Sequence, residues 1–358
     1  MLKKFLEKFK TKKFNWADAR YLLSFENDDW DSFFNEIGSY RFETLQEAKA
    51  LKFYTPGKSF PSISVTGNSC DLNCKHCDRK YLSNMLQAET EEKFKNALNY
   101  CIDHNSVGAL ISGGCTSYGK VPIEKYKDII LDFKRKNKKF FLNSHVGLIS
   151  YSEARSLKES GIDTVSFDLN LDSKVIQDVF NLDFKIEDYI ESYDALLEAG
   201  LRVIPHVLIG ARFGKIAREL DAIKVLSENP PELLVFIGMI PPRTNGEMDQ
   251  NFELLTPESM AKFFLISKVF LPSTLLSLGC MRPKGKFSFD LERWSILSGA
   301  NHIVMPTAKT IKWAKQENFK IEYYSACCVI PSEFEPYAQA IDSRGALKYP
   351  DLLRRKHF

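Results

Sequence analysis

Nowhere in this chain does an apolar run approach the ~18 residues that would cross a bilayer, so nothing in it argues for a membrane span. Charge of one sign is scarce too. Against 49 basic residues stand 46 acidic ones, a net +3, which is too little to imply a nucleic-acid partner. Low-complexity tracts and short-period repeats are missing as well. The opening "MLKKFLEKFKTKKFNWADARYLL" is basic and amphipathic but lacks the apolar core and cleavage site of a secretory leader. It reads as a surface helix, with a docking arm for an acidic partner as the alternative. A cytoplasmic location is therefore expected, and eight cysteines in 358 residues are then not a disulfide framework. Metal or redox chemistry is the better default.

What the chain does have is ordinary globular material, 44% hydrophobic and 27% charged. From residue 62 onward short apolar runs alternate with amphipathic stretches. The runs are "SISVTG" (62–67), "ALISGG" (109–114), "FFLNSH" (140–145), "TVSFDL" (164–169), "RVIPHVLIG" (202–210), "LLVFIGMI" (233–240), "TLLSLG" (274–279) and "HIVMPT" (302–307). Such runs suit strands buried on both faces of a parallel sheet. Between them lies helix punctuation: Thr256 as N-cap before Pro257, and Gly161 and Gly200 as C-terminal stops. Strand then helix, eight times over, predicts an α/β fold of the (β/α)8 TIM type. The expected organisation is an N-terminal helical extension over 1–60, a barrel over 61–320 and a C-terminal segment over 321–358 lying above the barrel mouth. "DDWDSFFNEIG" is expected to be a helix ending near Gly38.

"CDLNCKHC" places Cys70, Cys74 and Cys77 directly after the first of these strands, at the mouth where this fold keeps its chemistry. Three thiolates on a [4Fe–4S] cube leave one iron open to another ligand. A zinc knuckle completed by His76 or a distant cysteine is the plainer alternative. Cys101 falls on the stripe Phe94, Ala97, Leu98, Cys101 and belongs to a helix core. His145 and His206 lie on expected strands and read first as hydrogen-bonded barrel histidines. Cys115, Cys280, Cys327 and Cys328 follow strand-like runs or lie near them, and together are expected to enclose a second, auxiliary cluster. Unrelated buried thiols are the alternative.

The C-x3-C-x2-C spacing after the first strand resembles the signature of radical S-adenosylmethionine (radical SAM) enzymes. That resemblance implies a cluster on Cys70, Cys74 and Cys77 whose open iron binds SAM, and an electron donor to reduce it. His76 stands where the family often has an aromatic. Gly113 and Gly114 match its Gly-Gly segment, with Cys115 in place of the usual glutamate. By the same resemblance Asp168 and Asn170 would meet the SAM ribose or amine, and Gly210 and Arg212 the adenine, while a turn or capping role is open for Asp168 and Asn170. Arg282 would neighbour the auxiliary cluster or else form a rim salt bridge.

An auxiliary cluster suggests sulfur insertion, as in biotin and lipoyl synthases. The upstream cysteine motif and Ser-rich end of single-chain bacterial lipoyl synthases are not found, and the chain closes on "LLRRKHF". "FYTP", "PSISVTGNSCDLNCKHCDRKYLSNM", "SGGCTSYGKVP" and "LGCMRPKG" resemble instead the archaeal-type two-subunit lipoyl synthases. This implies a homologous second radical SAM subunit and an octanoyl-lysine substrate on a carrier protein. Insertion into a small molecule such as dethiobiotin, or a non-catalytic metal-binding scaffold, are the rival readings.

Overall fold

A computed structural model describes residues 2–345. Its strands are Ala50–Tyr54 (β1), Ser62–Ser64 (β2), Leu86–Gln87 (β3), Gly108–Ser112 (β4), Phe141–His145 (β5), Thr164–Asp168 (β6), Arg202–Ile209 (β7), Leu233–Gly238 (β8), Arg243–Thr244 (β9), Glu247–Met248 (β10), Leu275–Leu278 (β11), His302–Val304 (β12) and Lys320–Tyr324 (β13). Every apolar run forms a strand. Several stop short of the run's end: Val65–Gly67, Gly113–Gly114 and Met305–Thr307 leave the ladder as loops. Helices alternate with the strands. The architecture is α/β with the strand–helix order of a TIM-type barrel and a helical N-terminal part. Among the described residues no helix is long and apolar enough to cross a membrane.

The chain divides into two compact units. One holds Tyr54–His206 and the segment from Tyr323 onward. Its strands lie in the order β3-β2-β4-β5-β6-β7, all parallel. Parallel pairing buries both faces, and β5 and β6 each have four buried residues in succession, which is why they read as continuous apolar runs. Helices Glu91–Asp103, Lys127–Lys136, Tyr151–Ser160 and Ile186–Glu198 connect the strands. Cys101 is fully buried in the first of these, beside Phe94, Ala97 and Leu98.

The other unit holds the residues up to Phe53 and Val207–Glu322. Here β8 and β12 flank β11 in parallel. The helical lead-in is part of this core and not a separate extension: Trp16 stacks on Phe270 at 3.6 Å, and Phe34 lies 5.3 Å from Trp294. Buried Arg41 donates to the carbonyls of Ile296 and Leu297 at 2.9 and 2.8 Å. Boundaries at 60/61 and 320/321 are thus not where the compact units divide, because lead-in aromatics fill the space over helices Pro257–Phe270 and Ser288–Ser298.

Candidate functional site

After β2 the chain turns at Gly67, whose φ of +61° favours glycine, and enters the cysteine loop. Two neighbours pin that loop. On one side the Asp71 amide donates to the Cys115 carbonyl at 2.8 Å, and the Cys115 amide donates to Cys70 Sγ at 3.3 Å. On the other, Lys75 N donates to Val179 O at 2.8 Å and Cys74 Sγ to Phe180 O at 3.3 Å. Asp78 and Arg79 follow with φ of +46° and +56°, an uncommon backbone for side-chain-bearing residues.

The glycines after β4 make the first pinning possible. A Cβ on Gly114 would stand 2.1 Å from Ser69 O and 2.5 Å from Cys70 Cβ, and one on Gly113 would stand 3.0 Å from Thr66 Oγ1. Gly114 N donates to that same Thr66 hydroxyl at 2.7 Å. The missing side chains therefore admit the cysteine loop itself.

Electrostatics single out one strand end. Burial and the neighbouring Cys77 and Cys70 push the Cys74 thiol up to about 12. Burial, then Cys70, Cys74, Asp168 and Cys77, push Cys115 up to about 12. Burial also raises Cys77. These thiols disfavour one another's charge and ionise only against compensating positive charge. His76, 5.2 Å from the Phe180 ring, is pushed down to about 4 by burial and by Lys80, and so is neutral near pH 7. At the end of β6 the Asp168 carboxylate reaches His76, His145, His206 and Cys115 electrostatically. Burial dominates for both strand histidines, whose rings lie 5.8 Å apart, and lowers their pKa. His76 Nδ1, Thr116 Oγ1 and Asn170 Nδ2 are buried without a hydrogen-bond partner among the described residues.

Residues 64–212 match the radical SAM superfamily model. The biotin synthase of Neorickettsia sennetsu is 23% identical over 261 residues, covering 67% of this chain and 74% of that protein. Among solved structures, the FeFe-hydrogenase maturase HydG from Carboxydothermus hydrogenoformans superposes with a TM-score of 0.64 at 14% identity, covering 94% of this chain and 82% of that one. Methylornithine synthase gives 0.54 at 14% identity, covering 83% and 84%. Residues 64–212 are thus similar to the radical SAM superfamily.

The family's cofactors are a [4Fe–4S] cluster and SAM, and the residues present fit them. Cys70, Cys74 and Cys77 are free, partly exposed thiols on one pinned loop. His76 within the loop, Thr116 next to Cys115 and Asn170 after β6 each carry a buried polar atom with unused hydrogen-bonding capacity, which calls for a polar partner. Thr66 and Phe180, which also border the cysteine loop, carry no local signal in the sequence, because each is recruited by a contact with another segment.

The remaining candidates are placed differently. Cys327 and Cys328 do not join Cys115. Their segment packs at the opposite end of the strands: Arg202, the first residue of β7, donates to Val329 O at 2.5 Å and to Thr164 Oγ1 at 3.0 Å. Phe334 lies 5.1 Å from Phe141, the first residue of β5. Cys115 follows the last residue of β4 by three positions. Four strand steps of ~3.3 Å separate the two ends by roughly 13 Å. An auxiliary cluster shared by Cys115 with Cys327 or Cys328, and a C-terminal segment over the mouth, are thereby corrected. Residues 346–358 of that segment, with "LLRRKHF", lie outside the described residues.

Gly210, Arg212, Cys280 and Arg282 belong to the other unit. Gly210 has φ +75°, and its carbonyl accepts from Gly214 N at 2.8 Å, a tight turn after β7 that also carries Arg212. Cys280 is exposed after β11. Arg282 is fully buried. It pairs with Glu292 at 2.7 Å and donates to Val304 O at 2.8 Å. Its guanidinium ties the ends of β11 and β12 to helix Ser288–Ser298, which is the salt-bridge alternative in a buried form.

Proposed function

We propose that this radical SAM enzyme inserts sulfur into an unactivated C–H bond of an octanoyl group held on a carrier-protein lysine, working with a homologous second subunit. The observation carrying the radical chemistry is the pinned loop of Cys70, Cys74 and Cys77 against Gly114 and Cys115. The biotin synthase relative supports sulfur insertion as the reaction class, and the four quoted sequence segments support the acyl substrate. Cys70, Cys74 and Cys77 would hold the cluster, which would supply the electron for reductive cleavage of SAM and so for hydrogen abstraction from carbon.

The chain's own residues do the binding and orienting. Neutral His76 offers a ring face and an unpaired Nδ1 to SAM. Asn170 offers an amide donor, and exposed Asp168 a carboxylate acceptor suited to ribose hydroxyls or an ammonium. Phe180 and Val179 hold the loop's far side through their carbonyls, which keeps the thiols in place while SAM enters. The sulfur of the new C–S bond would come from an auxiliary iron–sulfur cluster with ligands other than Cys327 and Cys328, and the homologous subunit is the first place to seek it.

A second reading has its own observation. Along the strand face of Asp168, Leu110 and Ile204 are apolar but Ser112, Asn143, His145, Ser166 and His206 are polar, and Asn143 and Ser166 bond to each other at 2.9 Å. Such a face suits a substrate with polar atoms, as in biotin-synthase-type insertion into dethiobiotin. Anaerobic turnover read by mass separates the two. Sulfur in an octanoyl-lysyl peptide, dependent on the second subunit, is the expected result. Efficient insertion into dethiobiotin by this chain alone would overturn it.

A further inference from the structure

Cys115 is built into the cysteine loop more tightly than a ligand of a separate centre needs to be. Its amide donates to Cys70 Sγ at 3.3 Å and its carbonyl accepts from Asp71 N at 2.8 Å. The preceding residue, Gly114, has room for no side chain because Ser69 and Cys70 fill the space. The Cys115 side chain thus leaves a backbone already in contact with the loop, and its thiol is influenced by Cys70, Cys74 and Cys77 together. The thiols that could have drawn it into another cluster from the same unit, Cys327 and Cys328, are at the far end of the strands.

We propose that Cys115 is the fourth ligand of the same [4Fe–4S] cluster when SAM is absent, capping the iron that the loop leaves open, and that SAM binds by displacing it. The proposal rests on the cluster reading of Cys70, Cys74 and Cys77. A cube has four irons, three loop thiolates occupy three of them, and a soft thiolate is a better iron ligand than the hard carboxylate of a glutamate. The exchange transfers no electrons. The Cys115 thiolate leaves iron and takes a proton from solvent, and the amine and carboxylate of SAM take its place. The cap shields the cluster until its cosubstrate arrives. It also weakens apparent SAM affinity: a cluster capped nine-tenths of the time binds SAM about tenfold less tightly than an uncapped one.

The test uses the anaerobically reconstituted full chain. Iodoacetamide labelling of Cys115, read by peptide mass, should be slow without SAM and faster by about tenfold at saturating SAM. In parallel, Cys115→Ala and Cys115→Ser should keep the iron content and bind SAM more tightly than the wild type, by equilibrium dialysis. Mössbauer spectra without SAM should show a distinct, non-thiolate iron in Cys115→Ala and not in the wild type. Equal labelling with and without SAM, or a distinct iron in SAM-free wild type, overturns the cap. A Cys70/Cys74/Cys77→Ala triple variant that retains its cube would instead overturn the cluster reading beneath it.

Discussion

Single residues carry two kinds of cost that can be measured here. Arg282 and Glu292 are a fully buried ion pair, and the second carboxylate oxygen of Glu292 also accepts from Thr307 N at 2.8 Å. Removing one partner leaves the other charge buried, so Glu292→Gln or Arg282→Met should cost about 3–5 kcal/mol in urea titrations. The double variant should recover part of that loss. Cys101 is the contrasting case. It is a small buried thiol, so Cys101→Ala should cost on the order of 1 kcal/mol and leave iron per chain unchanged.

His302, on β12, is fully buried and pushed down to about 3, first by burial and then by Lys52. Between pH 6.5 and about 3 the unfolded chain therefore binds a proton that the folded chain refuses. Stability rises with pH across that window and is lost as pH falls through it. The His302 share is about 2 kcal/mol lost by pH 5. Buried His145 and His206 are lowered in the same direction, so the comparison is between wild type and His302→Leu. The variant's stability should fall less steeply from pH 7 to 5, in denaturant titrations at each pH.

Between elements, the decisive contact is that of the β4–loop turn with the cysteine loop. Gly114→Ala would place a methyl 2.1 Å from Ser69 O and 2.5 Å from Cys70 Cβ, both on the cysteine loop's own chain. One of the two segments must move. Reconstituted Gly114→Ala should hold markedly less iron and lose SAM binding, while circular dichroism shows the helices and strands intact. Full iron loading in that variant would mean that the contact is not needed to place the thiols.

For the molecule as a whole, the arrangement of cysteines by strand end makes a prediction opposite to that of the sequence. The joint Cys327→Ser, Cys328→Ser variant should keep the iron, sulfide and visible absorbance of the wild type, because those thiols lie at the first-residue end of β5 and β7. Loss of iron from it would show that they hold a centre of their own. The Cys70/Cys74/Cys77→Ala variant should lose about one cube's worth of iron and all 5′-deoxyadenosine production, without unfolding, since a loop at a strand end carries little of the core.

Local chemistry was enough for part of this protein. Short apolar runs made all eight strands legible, and glycine and proline punctuation marked their helices, because burial on both faces and capping act over a few residues. β1 and β13 escaped, their burial being broken by exposed and half-buried residues. The three-cysteine loop was legible as a cluster of thiols, since its cysteines lie within eight consecutive positions. Which distant thiols share an end of the sheet was not. "YYSACCVIP" looks as much like a mouth segment as "SGGCTSYG" does. Its place is set by Phe334 on Phe141 and Arg202 on Val329, contacts between residues more than a hundred positions apart. Composition and spacing carry no record of such contacts, because the free energy that selects them comes from burying surfaces that exist only once the strands are side by side.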